Sequence, residues 1–338
     1  MLDSRQDSSA RCKNVTQTVE TVLGPIDARQ LGFCQAHEHL FIESGFPETV
    51  VPSLRIDDYR LTVAELHVYR NAGGKSLVDA QPVGCGRMAR NLLAASEETR
   101  VNIIASTGFH KLIFYPHYHW IHTVRCQDLA ELFKNELTRG MYCDGNESWP
   151  REQTSSCAGV IKVATDSQGM TAEYKKVFPA AACAGYETSV PIICHTEMGS
   201  GALDQIEFLT GCGIPSNRII VCHLDRALDL SYHREVASTG VFLEYDTIGR
   251  PKYHCDEEEI GLIISMLEAG FERQLLLSLD TTGERLSSYG GRIGLDYLLD
   301  SFIPQLVACG VSSSTVHTLT VENPAVALSR KREVSTEG

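Results

Sequence analysis

No apolar run in this 338-residue chain approaches the roughly 20 residues that a membrane-spanning helix needs. An integral membrane protein is therefore not expected. An excess of positive charge is missing too: 30 Lys plus Arg stand against 43 Asp plus Glu, a net charge of −13, which disfavours nucleic acid or an anionic membrane surface as a general partner. A small molecule is the expected ligand, and the oligomeric state stays open, a homodimer included. The 12 cysteines contain no CxxC pair and are spread along a long chain, so most should be reduced thiols. The stretch MLDSRQDSSARCKNVTQTVE lacks the apolar centre of a signal peptide, and a cytoplasmic location follows as an expectation. No GxGxxG turn follows the first apolar run, which removes the usual sign of a dinucleotide fold.

What the chain does contain is a series of eight short apolar runs bounded by turn residues. They are GFCQAHEH (32–39), KSLVDAQ (75–81), VNIIAST (101–107), AGVIKVAT (158–165), VPIICHT (190–196), RIIVCHL (218–224), GVFLEYD (240–246) and QLLLSLD (274–280). Amphipathic stretches of helical length separate most of them, at 64–70, 87–100, 171–187, 201–213, 230–240 and 257–271. Strand and helix in alternation indicate a parallel sheet, and eight such units indicate a closed (β/α)8 TIM barrel. One barrel domain over 1–338 is expected, with 1–17 and 331–338 frayed. Two long departures from the alternation, 110–156 and 244–258, follow strands and should overhang the active-site face.

Catalytic residues of such barrels lie at the C-terminal ends of the strands. Reading those ends gives His37 and His39 on the first strand, Lys162 on the fourth, His195 on the fifth, His223 on the sixth and Asp280 on the eighth. Singly, each has an ordinary explanation: an HxH pair can be two hydrogen-bonded core imidazoles, and Asp280 a helix cap. Together, four imidazoles and a carboxylate around a lysine suit a binuclear metal site. Strict alternation places His37 and His39 on one face and Cys34, Glu38 and Leu40 on the other; it likewise turns Cys194 and Cys222 away from whatever His195 and His223 face. Lys162 is costly as an ammonium between Ile161 and Val163, but as a neutral amine it can add carbon dioxide. The resulting carbamate is an anion able to bridge two metals.

The order HxH, Lys, His, His, Asp resembles the phosphotriesterase family of the amidohydrolase superfamily, as do TVETVLGPI, HEHLF, GVIKVAT, ICHTE, VCHLDR, LSLD and VENPAVALS. The resemblance implies that His37, His39 and Asp280 hold one divalent ion and His195 and His223 a second, with carboxylated Lys162 between them. Zinc is expected first, and manganese, cobalt or iron also suit such ligands. It further implies hydrolysis of an ester-like bond by a metal-bridging hydroxide, with Asp280 accepting the proton.

The substrate reading comes from the loops. Arg250, Lys252 and Tyr253 follow the seventh strand, and Arg285 and Tyr289 follow the eighth. Cations gathered on adjacent active-site loops of an acidic chain suggest an anionic substrate. These loops, with His110 in STGFHK, resemble the phosphorylated-lactone branch of the family, so a phosphorylated sugar lactone is expected. The alternatives are an organophosphate triester, an N-acyl-homoserine lactone, or a metal-binding relative without catalysis.

Overall fold

The computed structural model describes residues 15–333. After a hairpin of β1 (Val15–Thr21) and β2 (Gly24–Asp27), eight strands form one sheet in strict chain order. They are β3 (Cys34–Glu38), β4 (Ser76–Asp79), β5 (Asn102–Gly108), β6 (Val160–Ala164), β7 (Ile192–His195), β8 (Ile219–Cys222), β9 (Phe242–Tyr245) and β10 (Leu275–Leu277). All neighbouring pairs are parallel.

The last strand returns to the first. Asp280 N donates to the His37 carbonyl at 3.1 Å, and Ser278 Oγ accepts from His37 N at 2.8 Å. The Glu38 carboxylate takes the amides of Leu279 and Thr281 at 2.9 and 3.1 Å. The result is the (β/α)8 barrel that the alternation predicts.

The apolar character of the runs follows from burial on both faces. Ala36, Val78, Ile104, Val160, Ile193, Ile220, Phe242 and Leu276 fill the interior, while Leu77, Ile103, Ile161, Ile192, Ile219, Leu243 and Leu275 face the helices. All six expected helices form: Tyr59–Ala72, Ala89–Thr99, Tyr174–Thr188, Ala202–Gly211, Leu230–Ser238 and Asp256–Glu268.

A seventh helix, Cys126–Thr138, lies inside the stretch read as a long loop. It buries Leu129, Leu132, Phe133 and Leu137, an i, i+3, i+4 stripe, and packs against Tyr174–Thr188. The stretch therefore completes the third strand–helix unit as well as covering the mouth. Truncating Phe133 to alanine would cost about 3–5 kcal/mol.

The tails expected to fray lie mostly outside the described residues. Within them, residues 15–17 belong to β1, which pairs antiparallel with β11 (Arg330–Glu333). Among the described residues no helix is long and apolar enough to cross a membrane.

Candidate metal centre

Three local departures from strand geometry aim the ligand side chains. In β3 the register against β4 shifts between Gln35 and Glu38, a bulge of the kind that re-aims side chains beside active sites. Cys34 and Ala36 consequently pack in the barrel interior, yet His37 also reaches into the mouth, where its Nε2 lies 3.0 Å from Lys162 Nζ. His223 and Asp280 leave their strands in the left-handed region, at φ 66° and 49°. Such conformations strain a side-chain-bearing residue by about 1–2 kcal/mol and concentrate at functional sites. They also correct two readings from simple alternation. Cys34 does not lie opposite His37, and Cys222 joins the barrel interior rather than facing away from the site. Cys194 does face outward, into the helix layer.

Lys162 stands in the middle of β6 and is fully buried. Beside it Gly108, at φ 101°, closes β5; a Cβ there would overlap the Lys162 carbonyl oxygen, so only glycine lets the two strands approach.

The six side chains gather in one cluster. His195 Nδ1 and His223 Nε2 are 2.8 Å apart, and the His37 and His223 rings are 5.0 Å centre to centre. Asp280 Oδ1 lies 3.7 Å from His37 Nε2 and 3.5 Å from His39 Nε2. His110 joins them, its ring stacked 6.4 Å from His39 and tilted 5.3 Å from His195.

Around this cluster stand groups that the strand-end reading did not assign. Asp246 Oδ1 is 2.6 Å from His223 Nδ1, while its Oδ2 and Glu244 Oε2 are 3.3 and 3.5 Å from His37 Nδ1. Arg226 Nη2 donates to Asp280 Oδ2 at 2.7 Å, and Arg250 Nη1 to the same oxygen at 2.6 Å. Alternation would have found Asp246 and Glu244, since both share the inward face of the ninth strand with Phe242. Arg226 carried a weaker signal, its place in VCHLDR three residues after His223.

These surroundings set protonation. Burial holds the imidazoles of His39, His110, His195 and His223 below the ordinary value, which keeps them neutral at pH 7. His37 is the exception: burial and Lys162 lower it, but Asp246 and Glu244 outweigh them and push it up to about 9. Burial works to raise the Asp280 carboxyl, yet Arg250, His39, His223 and Arg226 hold it well below the usual carboxylate range.

Neutral imidazoles and an ionised carboxylate are the forms that bind a metal. Ligand atoms of His37, His223 and Asp280 all lie within 4.8 Å of one another. The donor set thus fits a divalent ion, and binding at His37 Nε2 would displace a proton.

The residues expected to touch substrate divide. Arg250, Lys252 and Arg285, with Glu284 and Arg292, line a cavity of about 260 Å³ over the ends of β9 and β10. Arg250 spends part of its guanidinium on Asp280, and Arg285 bonds the carbonyls of Leu279, Asp280 and Ile248; burial lowers it to about 10. Tyr253 lies under two cations, Arg226 at 5.3 Å and Lys252 at 4.8 Å from its ring centre. Tyr289 turns elsewhere. Its hydroxyl bonds the Asp58 carbonyl and Thr62 Oγ1, both at 2.8 Å, at the start of the helix Tyr59–Ala72.

Comparison with known proteins agrees with this architecture. The phosphotriesterase family model matches residues 17–328. A phospho-furanose lactonase of Mycoplasmopsis agalactiae is 32% identical over 319 residues, covering 90% of each chain. The crystal structure of an amidohydrolase from Mycoplasma synoviae superposes with a TM-score of 0.89 at 29% identity, over 95% of this chain and 94% of that one. The phosphotriesterase homology protein of Escherichia coli, solved with phosphate in its active site, gives a TM-score of 0.80 at 30% identity, over 88% and 98% of the two chains. With more than half of its length matched by the family model and its candidate ligand residues gathered at the barrel mouth, the chain belongs to the phosphotriesterase family.

Proposed function

We propose that this protein is a metal-dependent hydrolase that opens a phosphorylated sugar lactone. The observation that carries the substrate is the cavity over the ends of β9 and β10, lined by Arg250, Lys252, Arg285 and Arg292 against the single acid Glu284 in a chain of net charge −13. A neutral aryl phosphotriester or an acyl-homoserine lactone would make no use of cations there. The names of the relatives, a phospho-furanose lactonase and a homologue holding phosphate, support the same reading.

His37, His39 and Asp280 would hold one divalent ion, His195 and His223 a second, and Lys162, as its carbamate, would join both. The ions, zinc in the first instance, supply Lewis acidity and acidify water toward neutral pH. The chain's own residues do the rest. The phosphate rests against Lys252 and Arg292, which sets the lactone carbonyl over the histidine cluster. Asp280 receives the proton of the attacking water, its carboxylate kept ionised by Arg226 and Arg250 on Oδ2. The acyl C–O bond breaks, the proton passes to the ring oxygen, and a phosphorylated hydroxy acid leaves.

The same reading keeps the protein in the cytoplasm, where the buried thiols of Cys34, Cys85, Cys194 and Cys222 stay reduced. Metal analysis followed by hydrolysis assays over plain lactones, phosphorylated sugar lactones and aryl phosphotriesters tests it. Turnover confined to the aryl phosphotriesters would refute the lactonase reading.

A further inference from the structure

We propose that Glu197 is the positioning residue for His195, and that Lys111 holds Glu197 in place. The inference rests on the metal-dependent reading above. A ligating histidine needs its second ring nitrogen fixed by an outer partner, which sets both tautomer and ring orientation. His37 and His223 obtain this from Asp246 and Glu244, both fully buried in the barrel. His195 has a different partner. Its Nε2 lies 3.2 Å from Glu197 Oε1, while its Nδ1 faces His223 Nε2 at 2.8 Å. With Nε2–H given to the carboxylate, the lone pair of Nδ1 is free, and it points where an ion shared with His223 would sit.

The turn that carries Glu197 is built for this placement. Thr196 Oγ1 donates to the Cys222 carbonyl at 2.7 Å and accepts from Gly199 N at 3.0 Å, tying the turn to β8. Met198, next to Glu197, is in the left-handed region at φ 54° with half its surface exposed. A methionine gains nothing locally from that conformation, so the surrounding bonds impose it.

Lys111 enters from the other side. Its Nζ donates to the same Glu197 oxygen, and it lies 5.3 Å from the centre of the Phe114 ring, which packs edge-on against His110 at 4.7 Å. The Lys111–Glu197 pair therefore joins the segments after β5 and β7 across one side of the mouth. Its side chains are 20% and 28% exposed, whereas those of Glu244 and Asp246 are 0% exposed. The ion at His37 thus has an outer support sealed in the barrel, whereas the ion shared by His195 and His223 has one sealed support, Asp246 on His223, and one that water reaches, Glu197 on His195.

Cobalt(II) titration of the metal-free full chain, followed by visible absorption and by metal counting, tests the assignment. Glu197→Gln should weaken one of the two cobalt equivalents by roughly 10- to 100-fold and alter its absorption bands, leaving the other equivalent as in the parent. Lys111→Met, at a partly exposed pair whose loss should barely move the melting temperature, should weaken the same equivalent by a smaller factor. Parent-like affinity and spectrum in both variants, or equal loss of both equivalents, would overturn the proposal. A parent chain that takes up no cobalt would instead sink the metal-dependent reading on which it rests.

Discussion

Arg250 meets Asp280 twice, with Nη1 on the Oδ2 carboxylate oxygen at 2.6 Å and Nη2 on the carbonyl oxygen at 2.9 Å. The side chain and the backbone of a residue in a strained conformation are thereby held by a single planar group. Arg250 was expected to bind substrate, and it does line the cavity, but its bonds to Asp280 give it a second task. Arg250→Ala should therefore lower kcat/KM by roughly 10²-fold or more for a lactone with or without phosphate, because a buried carboxylate loses one of its two arginine partners and its backbone carbonyl loses a donor. Steady-state kinetics on both substrates checks this. A loss confined to the phosphorylated lactone would make Arg250 a phosphate contact only.

Asp280 itself should behave differently from the histidines. Asp280→Asn keeps the shape of the side chain yet removes the ionised proton acceptor, while the five other candidate ligands stay in place, so most metal affinity should survive while kcat falls by roughly 10²- to 10⁴-fold. An unchanged kcat would remove Asp280 from the reaction.

For Lys162, full burial in β6 next to His37 predicts that Lys162→Ala abolishes tight metal binding, with partial rescue by a short-chain carboxylic acid. Metal content with and without the acid is the measurement. Two retained ions and full activity in the variant would exclude a bridging role.

Much of this was legible in the sequence because it obeys simple periodicity. Each of the eight sheet strands coincides with one of the apolar runs, β5 passing its run by one residue, and the candidate ligands fall at or just past the strand ends except Lys162, which stands mid-strand, since a barrel buried on both faces writes its strands as continuous hydrophobic segments. The failures come from places where the backbone departs from that period. The bulge in β3 and the left-handed His223 cannot be read from residue types, and each brings a histidine to the side that a nearby interior cysteine already occupies. The helix Cys126–Thr138 was legible from Leu129, Leu132, Phe133 and Leu137, but it lay hidden in a stretch judged by its length. Arg226 and Glu197 act through other side chains, and such roles appear only once distances are known.

Asp79 offers a test of electrostatics at a residue outside the ligand set. Burial pushes its carboxyl up to about 7, against the amide of Leu40 that it accepts at 2.8 Å. The folded state then binds a proton that the unfolded chain releases near pH 4, so the stability Asp79 contributes is full below that pH and lost as pH rises through about 7. Asp79→Asn, which cannot ionise, should gain stability relative to the metal-free parent between pH 5 and 8, by a few kcal/mol at most. Thermal melts of both proteins across that range give the difference, and a difference independent of pH would show that Asp79 does not titrate there.

The central claim, a phosphate-bearing lactone seated against loop cations beside the metal centre, is tested most directly by one ratio. It is kcat/KM for a sugar lactone with its phosphate over kcat/KM for the same lactone without it, measured in the parent, in Lys252→Ala and in Arg292→Ala. The parent should prefer the phosphorylated lactone, and each variant should lose much of that preference while retaining activity on the plain lactone. A parent that favours the dephosphorylated lactone, or variants that keep the full preference, would contradict the assignment.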